Sequence, residues 1–478
     1  MKLKKLMNSI NYKLIQGTED IEIKDITYDS RKIEKDYAFV CLIGKDTDGH
    51  EYIDEAIEKG ANCIITCKDV NIKNKETTII KIEDTRKQLS YISANLFDNP
   101  QEKLIKIGIT GTKGKTSTSW MIKSILEEAN KKVGIIGTIG TFINNKKIEH
   151  KNTTPESYLI QKFMREMVDN NVEYLIMETS STALKVGRIN NIEFDYGIFT
   201  NLSLDHVGPR EHESYEDYKN SKAQLFNQAK IGIINKDDKE YETITKDKKC
   251  KIYTYGKNGE YKIKNIEEKD LGIEFEIEGK INEKFRVNTP GNFTAYNATA
   301  AIVVSSLLNI DINSIKKGLE KFTVEGRCEI IKSKNKTVVI DFAHNKLSME
   351  SIITTMRNHN PNRIITVFGC GGGIARNLRK ELGHTAGRLS DLCIITMDNP
   401  KNDDIEEINE DVKKGVQEVN GKCKIIEDRK EAIEYAISMA KENDIVLLLG
   451  KGHEKYQDIK GTRYPFSERK IVEDYIGV

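Results

Sequence analysis

The chain has 478 residues, and 75 lysines and arginines almost balance 74 aspartates and glutamates, leaving a net charge of +1. One hydrophobic core does not serve that length, and at roughly 150 residues per domain about three domains are predicted. The interspersed charges exclude the basic footprint of a nucleic-acid or membrane-surface binder, no apolar run approaches the ~18 residues of a spanning helix, and no apolar stretch follows Met1-Lys-Leu-Lys-Lys as in a signal peptide. No nucleic-acid partner, no membrane insertion and a cytoplasmic location are therefore expected. Cys41, Cys63, Cys67, Cys250, Cys328, Cys370, Cys393 and Cys423 are scattered without a zinc spacing and read as reduced core residues.

From residue 1 to 99 short strand and helix signals alternate. Asp25-Ile-Thr-Tyr-Asp-Ser-Arg31 leads to Ala38-Phe-Val-Cys-Leu42, a polar turn from Gly44 to His50, a helix turning Ile53, Ala56 and Ile57 inward, and the strand Cys63-Ile-Ile-Thr66. This pattern predicts a small α/β domain. Asp29, Ser30 and Arg31 fall between elements, as a ligand head-group contact or as an ordinary turn with a helix cap.

Leu104 to Ser119 reads as strand, phosphate loop and helix. Leu104, Ile105, Ile107 and Ile109 form the short apolar run of a buried parallel strand, Thr110 to Gly114 break it, and Thr118, Met121, Ile122, Ile125 and Leu126 have helical spacing. Gly111 and Gly114 let backbone amides close around phosphate oxygens at a helix N-terminus. Lys115 would reach the β- and γ-phosphates of ATP, and the Thr116 hydroxyl would meet Mg²⁺. The first glycine of the longer Walker pattern is Ile109 here, so the loop has the short G-x-x-G-K-[ST] form. A plain strand-to-helix turn is the alternative.

The next strands deliver polar residues at their C-terminal ends: Val172 to Met177 leads to Glu178 and Ser180, and Phe194 to Phe199 leads to Thr200, Asn201, Asp205 and His206. Strand ends beside a phosphate loop are where α/β sheets bind ligands. Glu178 there is a metal contact or a structural ion pair. Lys222, on a helix with Tyr218 and Leu225, reads by itself as a solvated lysine. Ile252 to Val287, with Ile273, Phe275 and Ile277 alternating against Glu274 and Glu276, predicts antiparallel hairpins, and Gly291 opens an alanine-rich helix.

After Gly326-Arg327 a second doubly wound pattern begins, with strands at Val338–Phe342, Ile364–Phe368, Leu392–Thr396, Cys423–Ile426 and Ile445–Leu449, separated by amphipathic helices. Their ends carry Asp341-Phe-Ala-His344, Gly369-Cys-Gly-Gly-Gly373, Asp398-Asn-Pro-Lys401 and Gly450-Lys-Gly-His-Glu454, which should converge on one sheet edge. No G-x-G-x-x-G occurs, which speaks against a dinucleotide site.

Together these motifs resemble the Mur ligases, in order and almost end to end. The resemblance implies an α/β protein of three domains: residues 1–99 binding a UDP-substrate, 100–325 a central ATP-binding domain with parallel sheet and hairpins, and 326–478 a Rossmann-like amino-acid-binding domain. It implies an ATP-driven amide ligase of peptidoglycan precursor synthesis, adding a diamino acid to UDP-MurNAc-L-Ala-D-Glu as a monomer, with ATP and Mg²⁺. Gly111, Thr112, Lys113, Gly114, Lys115, Thr116 and Ser117 would form the ATP loop, with Asn292, Arg327 and Asp341 on the nucleotide's adenine, phosphates and ribose. Thr116, Glu178 and Lys222 as a carbamate would hold Mg²⁺, with His206 close to the metal and Lys115, Glu178, His206 and Lys222 carrying catalysis.

Ser30, Asn152, Thr153, Thr154, Ser180 and Arg188 would hold the muramoyl-dipeptide. Asp398, Asn399, Pro400, Lys401, Gly450 and Glu454 would hold the incoming amino acid. Members using meso-diaminopimelate typically have Asp-Asn-Pro-Arg, so Lys401 keeps the charge without the bidentate fork. The Gly371-Gly-Gly-Ile-Ala-Arg376 loop replaces Gly-Gly-Asp-Arg-Asp, Ser180-Ser181-Thr182 replaces Ser-Ser-His, and Phe342 replaces Tyr. Diaminopimelate is favoured slightly over L-lysine. A paralogue acting on another carboxylate or amine, a folylpolyglutamate synthetase and a silent nucleotide-binding scaffold are the competing readings.

Overall fold

The computed structural model describes every residue except 45, 46, 145, 204–207, 209–211, 334 and 478. His206 and Asp205 therefore lie outside the described residues. The chain packs into two compact units. The first comprises Met1–Ile263, Glu278–Ile281 and Tyr296–Gly318, and the second Lys264–Ile277, Asn282–Ala295 and Leu319–Val478.

The first unit holds two sheets. β1 (Lys13–Gln16), β2 (Asp25–Thr27), β3 (Tyr37–Val40), β4 (Ala61–Thr66) and β5 (Thr78–Lys81) lie in the order β1-β5-β4-β3-β2, parallel from β2 to β5 with β1 antiparallel at the edge. Apolar side chains leave both faces of this sheet for separate cores, one around Leu6, Ile26, Val40 and Leu89, the other around Phe39, Ile53 and Ile64. The second sheet contains β6 (Ile105–Thr110), β7 (Val133–Gly137), β8 (Gly140–Ile143), β9 (Lys146–Ile148), β10 (Tyr174–Glu178), β11 (Phe194–Phe199), β12 (Ala229–Asn235) and β13 (Lys251–Gly256). These eight strands of the sheet run in the order β13-β12-β11-β6-β10-β7-β8-β9, parallel from β13 to β7 and antiparallel through the β7–β8–β9 meander. β6 therefore sits at the centre, where Ile107 and Ile109 are fully buried on one face and Lys106, Gly108 and Thr110 are buried on the other, and its C-terminal end is flanked by those of β10 and β11.

The segment at 1–99 is docked on the phosphate-loop module by polar as well as apolar contacts. Arg86 Nη1 and Arg188 Nε both lie on Glu156 Oε1, at 2.9 and 3.0 Å, and the Tyr158 hydroxyl donates to Asp25 at 2.9 Å. These contacts join both modules into one unit.

The hairpin expectation holds in part. Antiparallel pairing runs between β15 (Gly272–Gly279) and β16 (Glu283–Val287), which follow β14 (Tyr261–Lys269), but residues from Ile252 belong to β13, a parallel partner of β12. Alternating burial looks the same in either pairing, so periodicity does not reveal the partner.

In the second unit β17 (Glu329–Ser333), β18 (Lys336–Asp341), β19 (Ile364–Phe368), β20 (Leu392–Ile395), β21 (Cys423–Ile425) and β22 (Ile445–Leu449) form a sheet in the order β17-β18-β22-β19-β20-β21, parallel apart from β17. Helices cover both faces over two cores. The edge strand β17 and the hairpin β23 (Tyr456–Ile459) and β24 (Thr462–Pro465) were not expected from the sequence; their residues carry little apolar alternation.

Candidate active site

The loop after β6 is held from behind by the end of β11. Lys113 N–H donates to Asn201 Oδ1 and the Asn201 amide returns a bond to Lys113 O, each at 3.0 Å, while the Thr200 hydroxyl donates to the same carbonyl at 2.7 Å. Gly111 and Gly114 have φ of +147° and +86°, and a Cβ on them would come within 1.9 Å of Thr200 Oγ1 and 2.4 Å of Asn297 Oδ1. Only glycine fits both the backbone angle and the space. Gly114 opens the helix Lys115–Glu128, whose first-turn amides face the loop. Lys115 Nζ folds back onto Gly111 O at 2.8 Å and Thr112 O at 3.0 Å.

Glu178, at the end of β10, is fully buried and wrapped in hydroxyls. Thr116 donates to Oε2 at 2.9 Å and Thr138 at 3.0 Å, while Thr138 N–H reaches Oε1 at 3.1 Å. Thr153 joins this ring through Thr138 at 3.1 Å. Among the described residues no group of three or more His, Cys, Asp or Glu is gathered for a metal. The all-oxygen set of Glu178 and Thr116 suits a hard cation that keeps water and phosphate as its other ligands, as Mg²⁺ does. Thr154 ties the same strand end to the next turn, donating to Glu178 O at 2.7 Å and accepting from Ser180 N–H at 2.9 Å.

Lys222 is not solvated: it is 2% exposed on the helix Tyr215–Ala223, and its Nζ donates to Gly111 O at 2.9 Å, the carbonyl that Lys115 also uses. The Tyr218 ring lies 4.4 Å from Lys222 Nζ, and its hydroxyl is 3.0 Å from Thr112 Oγ1. The sequence reading overlooked His212, which is buried beside Tyr218 with Nε2 2.9 Å from Ser181 Oγ and Nδ1 3.0 Å from Asp217 Oδ2. The Ser180-Ser181 pair and the i, i+5 spacing of His212 and Asp217 were the only signals available for it.

A cleft of about 490 Å³ in the same unit is lined by Tyr28, Asp29, Arg31, His150, Asn152 and Glu156 among others. Asp29 caps the short helix Ser30–Lys32 through Arg31 N–H and pairs with the Arg31 side chain, which holds its carboxyl below the usual range. Ser30 is buried and donates to Glu55 at 3.2 Å. Arg188 donates to Thr154 O at 2.9 Å as well as to Glu156.

In the second unit the four strand ends do converge. Asn399 Nδ2 donates to Glu454 Oε2 at 2.8 Å, the buried Lys451 Nζ bridges Asn399 Oδ1 and Glu454, and a Cβ on Gly450 would fall 2.6 Å from Asp398 Oδ2. A Cβ on Gly372 would strike Pro400 O. Lys401 is exposed and has φ of +53°, held by Lys401 N–H on Asp458 O. Arg376 pairs with Glu407, whereas Arg379 is buried against Asp403 and Asp411. Asp341 accepts from Cys328 N–H at 2.7 Å, and burial pushes its carboxyl up against the pull of Arg327, whose guanidinium lies over the Phe342 ring at 4.8 Å. Asn292 begins the helix Asn292–Leu307.

Comparison with known proteins decides the lineage. Residues 22–110 match the model described as Mur ligase family, catalytic domain, residues 109–305 the Mur ligase middle domain, and residues 326–452 the Mur ligase, glutamate ligase domain. The UDP-N-acetylmuramoyl-L-alanyl-D-glutamate--2,6-diaminopimelate ligase of Clostridium perfringens (strain 13 / Type A) is 41% identical across 100% of this chain and 99% of its own. The chain belongs to the Mur ligase family. As a Mur ligase it is an ATP-dependent ligase with the α/β fold of that family. A solved UDP-N-acetylmuramoyl-L-alanyl-D-glutamate--2,6-diaminopimelate ligase superposes with a TM-score of 0.72 at 26% identity, covering 100% of this Mur ligase and 99% of that chain. The folylpolyglutamate synthase of Mycobacterium tuberculosis, complexed with ADP and AMPPCP, shares the fold at a TM-score of 0.63 and 17% identity, but over only 76% of this chain and 91% of its own.

Proposed function

We propose that this Mur ligase adds meso-2,6-diaminopimelate to UDP-MurNAc-L-Ala-D-Glu in peptidoglycan precursor synthesis, with residues 1–99, 100–325 and 326–478 acting as UDP-substrate, ATP and amino-acid modules. The substrates are those in the names of full-length relatives at about 40% identity. The observation that carries the activity is the meeting of Lys115, Thr116, Glu178 and Lys222 around one phosphate-binding turn.

A carboxylate does not react with an amine at neutral pH, so the γ-carboxylate of the dipeptide first attacks the γ-phosphorus of ATP, releasing ADP and forming an acyl phosphate. The amine then attacks the acyl carbon, phosphate leaves, and the amine proton passes to solvent. Phosphoryl transfer is chiefly positioning and charge neutralisation. The loop amides cradle the phosphates, and Lys115 exchanges its two loop carbonyls for phosphate oxygens. Thr116 and Glu178 would hold Mg²⁺, with Lys222 as a carbamate completing the set. Bound Mg²⁺ supplies positive charge to the transferring phosphate.

Thr153, Thr154, Ser180 and Arg188 flank Glu178 on the dipeptide side, while Asn152 belongs to the cleft with Asp29. Asn399 and Glu454 would receive the amino acid, and Lys401 its distal carboxylate. A different amine is the second reading, favoured by a single ammonium at Lys401 and by Arg376 turned to Glu407. Phosphate release with UDP-MurNAc-dipeptide, ATP and a panel of diamino acids separates the two. Lys222→Ala should abolish turnover and regain part of it with added short carboxylic acids; full activity without them removes the carbamate.

A further inference from the structure

A chain of contacts to which the reaction above assigns no role runs beside Lys222. Ser181 Oγ lies 2.9 Å from His212 Nε2, and His212 Nδ1 lies 3.0 Å from Asp217 Oδ2, which also takes Lys185 Nζ at 2.7 Å and Glu213 N–H at 3.2 Å. His212 is 1% exposed, and burial lowers its pKa below the ordinary 6.5 against the attraction of Asp217, which favours the neutral ring. With Nδ1–H held by the carboxylate, Nε2 is an acceptor and the Ser181 hydroxyl donates to it. The three residues come from different places: Ser181 starts the helix Ser181–Lys185 directly after Ser180, His212 precedes the capping residue Ser214, and Asp217 lies in the first turn of the helix Tyr215–Ala223 that carries Lys222.

The imidazole also packs on the fully buried Tyr218, ring centroids 5.1 Å apart at 60°. That ring underlies Lys222 Nζ at 4.4 Å and touches the phosphate loop through Thr112. The hydrogen bonds of His212 go to Ser181 and Asp217, and through Tyr218 it supports the surface on which Lys222 rests.

We propose that His212 is a positioning residue: through Ser181 and Tyr218 it couples the turn bearing Ser180 to the helix bearing Lys222, and so holds Lys222 in place for carbamylation. In that step the Nζ ammonium first gives a proton to solvent, the neutral amine attacks the carbon of CO₂, a second N–H proton leaves to solvent, and Nζ–COO⁻ remains. The inference rests on the carbamate reading of Lys222 and adds the group that keeps the lysine in register.

The test uses full-length protein equilibrated with ¹³C-bicarbonate, reading the carbamate signal by NMR beside kcat and the KM for ATP; Lys222→Ala identifies the signal. His212→Ala should lower kcat by about tenfold or more and demand more bicarbonate to fill the carbamate, with KM for ATP held within about twofold. His212→Gln, whose amide can accept from Ser181 and donate to Asp217, should recover much of the occupancy. Ser181→Ala, which deletes the hydroxyl that meets His212 Nε2, should raise the bicarbonate requirement in the same direction. Wild-type occupancy and kcat in His212→Ala overturn the inference while leaving the carbamate standing. Joint loss of carbamate, ATP affinity and melting temperature without recovery in His212→Gln marks a merely structural histidine and overturns it too. A wild-type protein with no signal withdraws the carbamate reading itself.

Discussion

His212 and Lys222 show how a residue's meaning depends on burial that no sequence window displays. On sequence alone Lys222 sits on a charged helix, Tyr215-Glu-Asp-Tyr-Lys-Asn-Ser-Lys222, and reads as solvated; the fold turns Tyr218, Ser221 and Lys222 inward together. Lys115 and Thr116 were legible because a strand, two glycines and a helix constrain them locally, whereas His212 acquires its role only from Ser181 and Asp217, elements apart in the chain. The same burial has a consequence for pH. Because the folded protein keeps His212 neutral below the ordinary 6.5, the unfolded chain binds a proton there that the folded chain resists. The stability from the neutral ring is complete above pH 6.5 and is lost as pH falls toward the lowered folded value. The charges that bear on the ring are Asp217, which resists this loss, and Lys185, which deepens it, as does Lys222 while it is an uncarbamylated ammonium. Melting curves from pH 8 to 5 should fall more steeply for the wild type than for His212→Gln; parallel curves would contradict the assignment.

The phosphate loop is the element where pattern, backbone angle and packing agree. The apolar run predicted for β6 is buried on both faces, and the break at Gly111 and Gly114 coincides with two positive φ values. Gly114→Ala places a methyl group against Asn297 in a left-handed backbone, a combination costing about 1–3 kcal/mol. Denaturant unfolding should show that loss, and ATP affinity should fall with it; an alanine variant of native stability would mean that the loop relaxes freely. The elements that escaped the sequence reading share one physical cause. β17, β23 and β24 are edge or two-stranded pieces with partly exposed residues, so their side chains carry no strong period, and their pairing is set by partners elsewhere.

At the scale of the molecule the α/β class and the order of modules were legible because each sheet is signalled by apolar runs separated by helical periods. The grouping was not: it depends on side-chain contacts such as Tyr158 with Asp25 and the two arginines on Glu156, residues that look like ordinary surface charge in the sequence. Glu156 borders the cleft and gathers Arg86 from one module and Arg188 from the other. An acidic visitor to that cleft would find its seat already taken by the protein's own carboxylate. Glu156→Gln removes that charge at constant size: the resting protein should melt earlier as two guanidinium groups lose their shared counter-charge, and, on the proposal that this cleft receives the acidic sugar-nucleotide, that ligand should be held more tightly, as paired thermal-shift and titration experiments would reveal. A single side chain would then act as a rheostat, setting endurance without ligand against grip once ligand arrives.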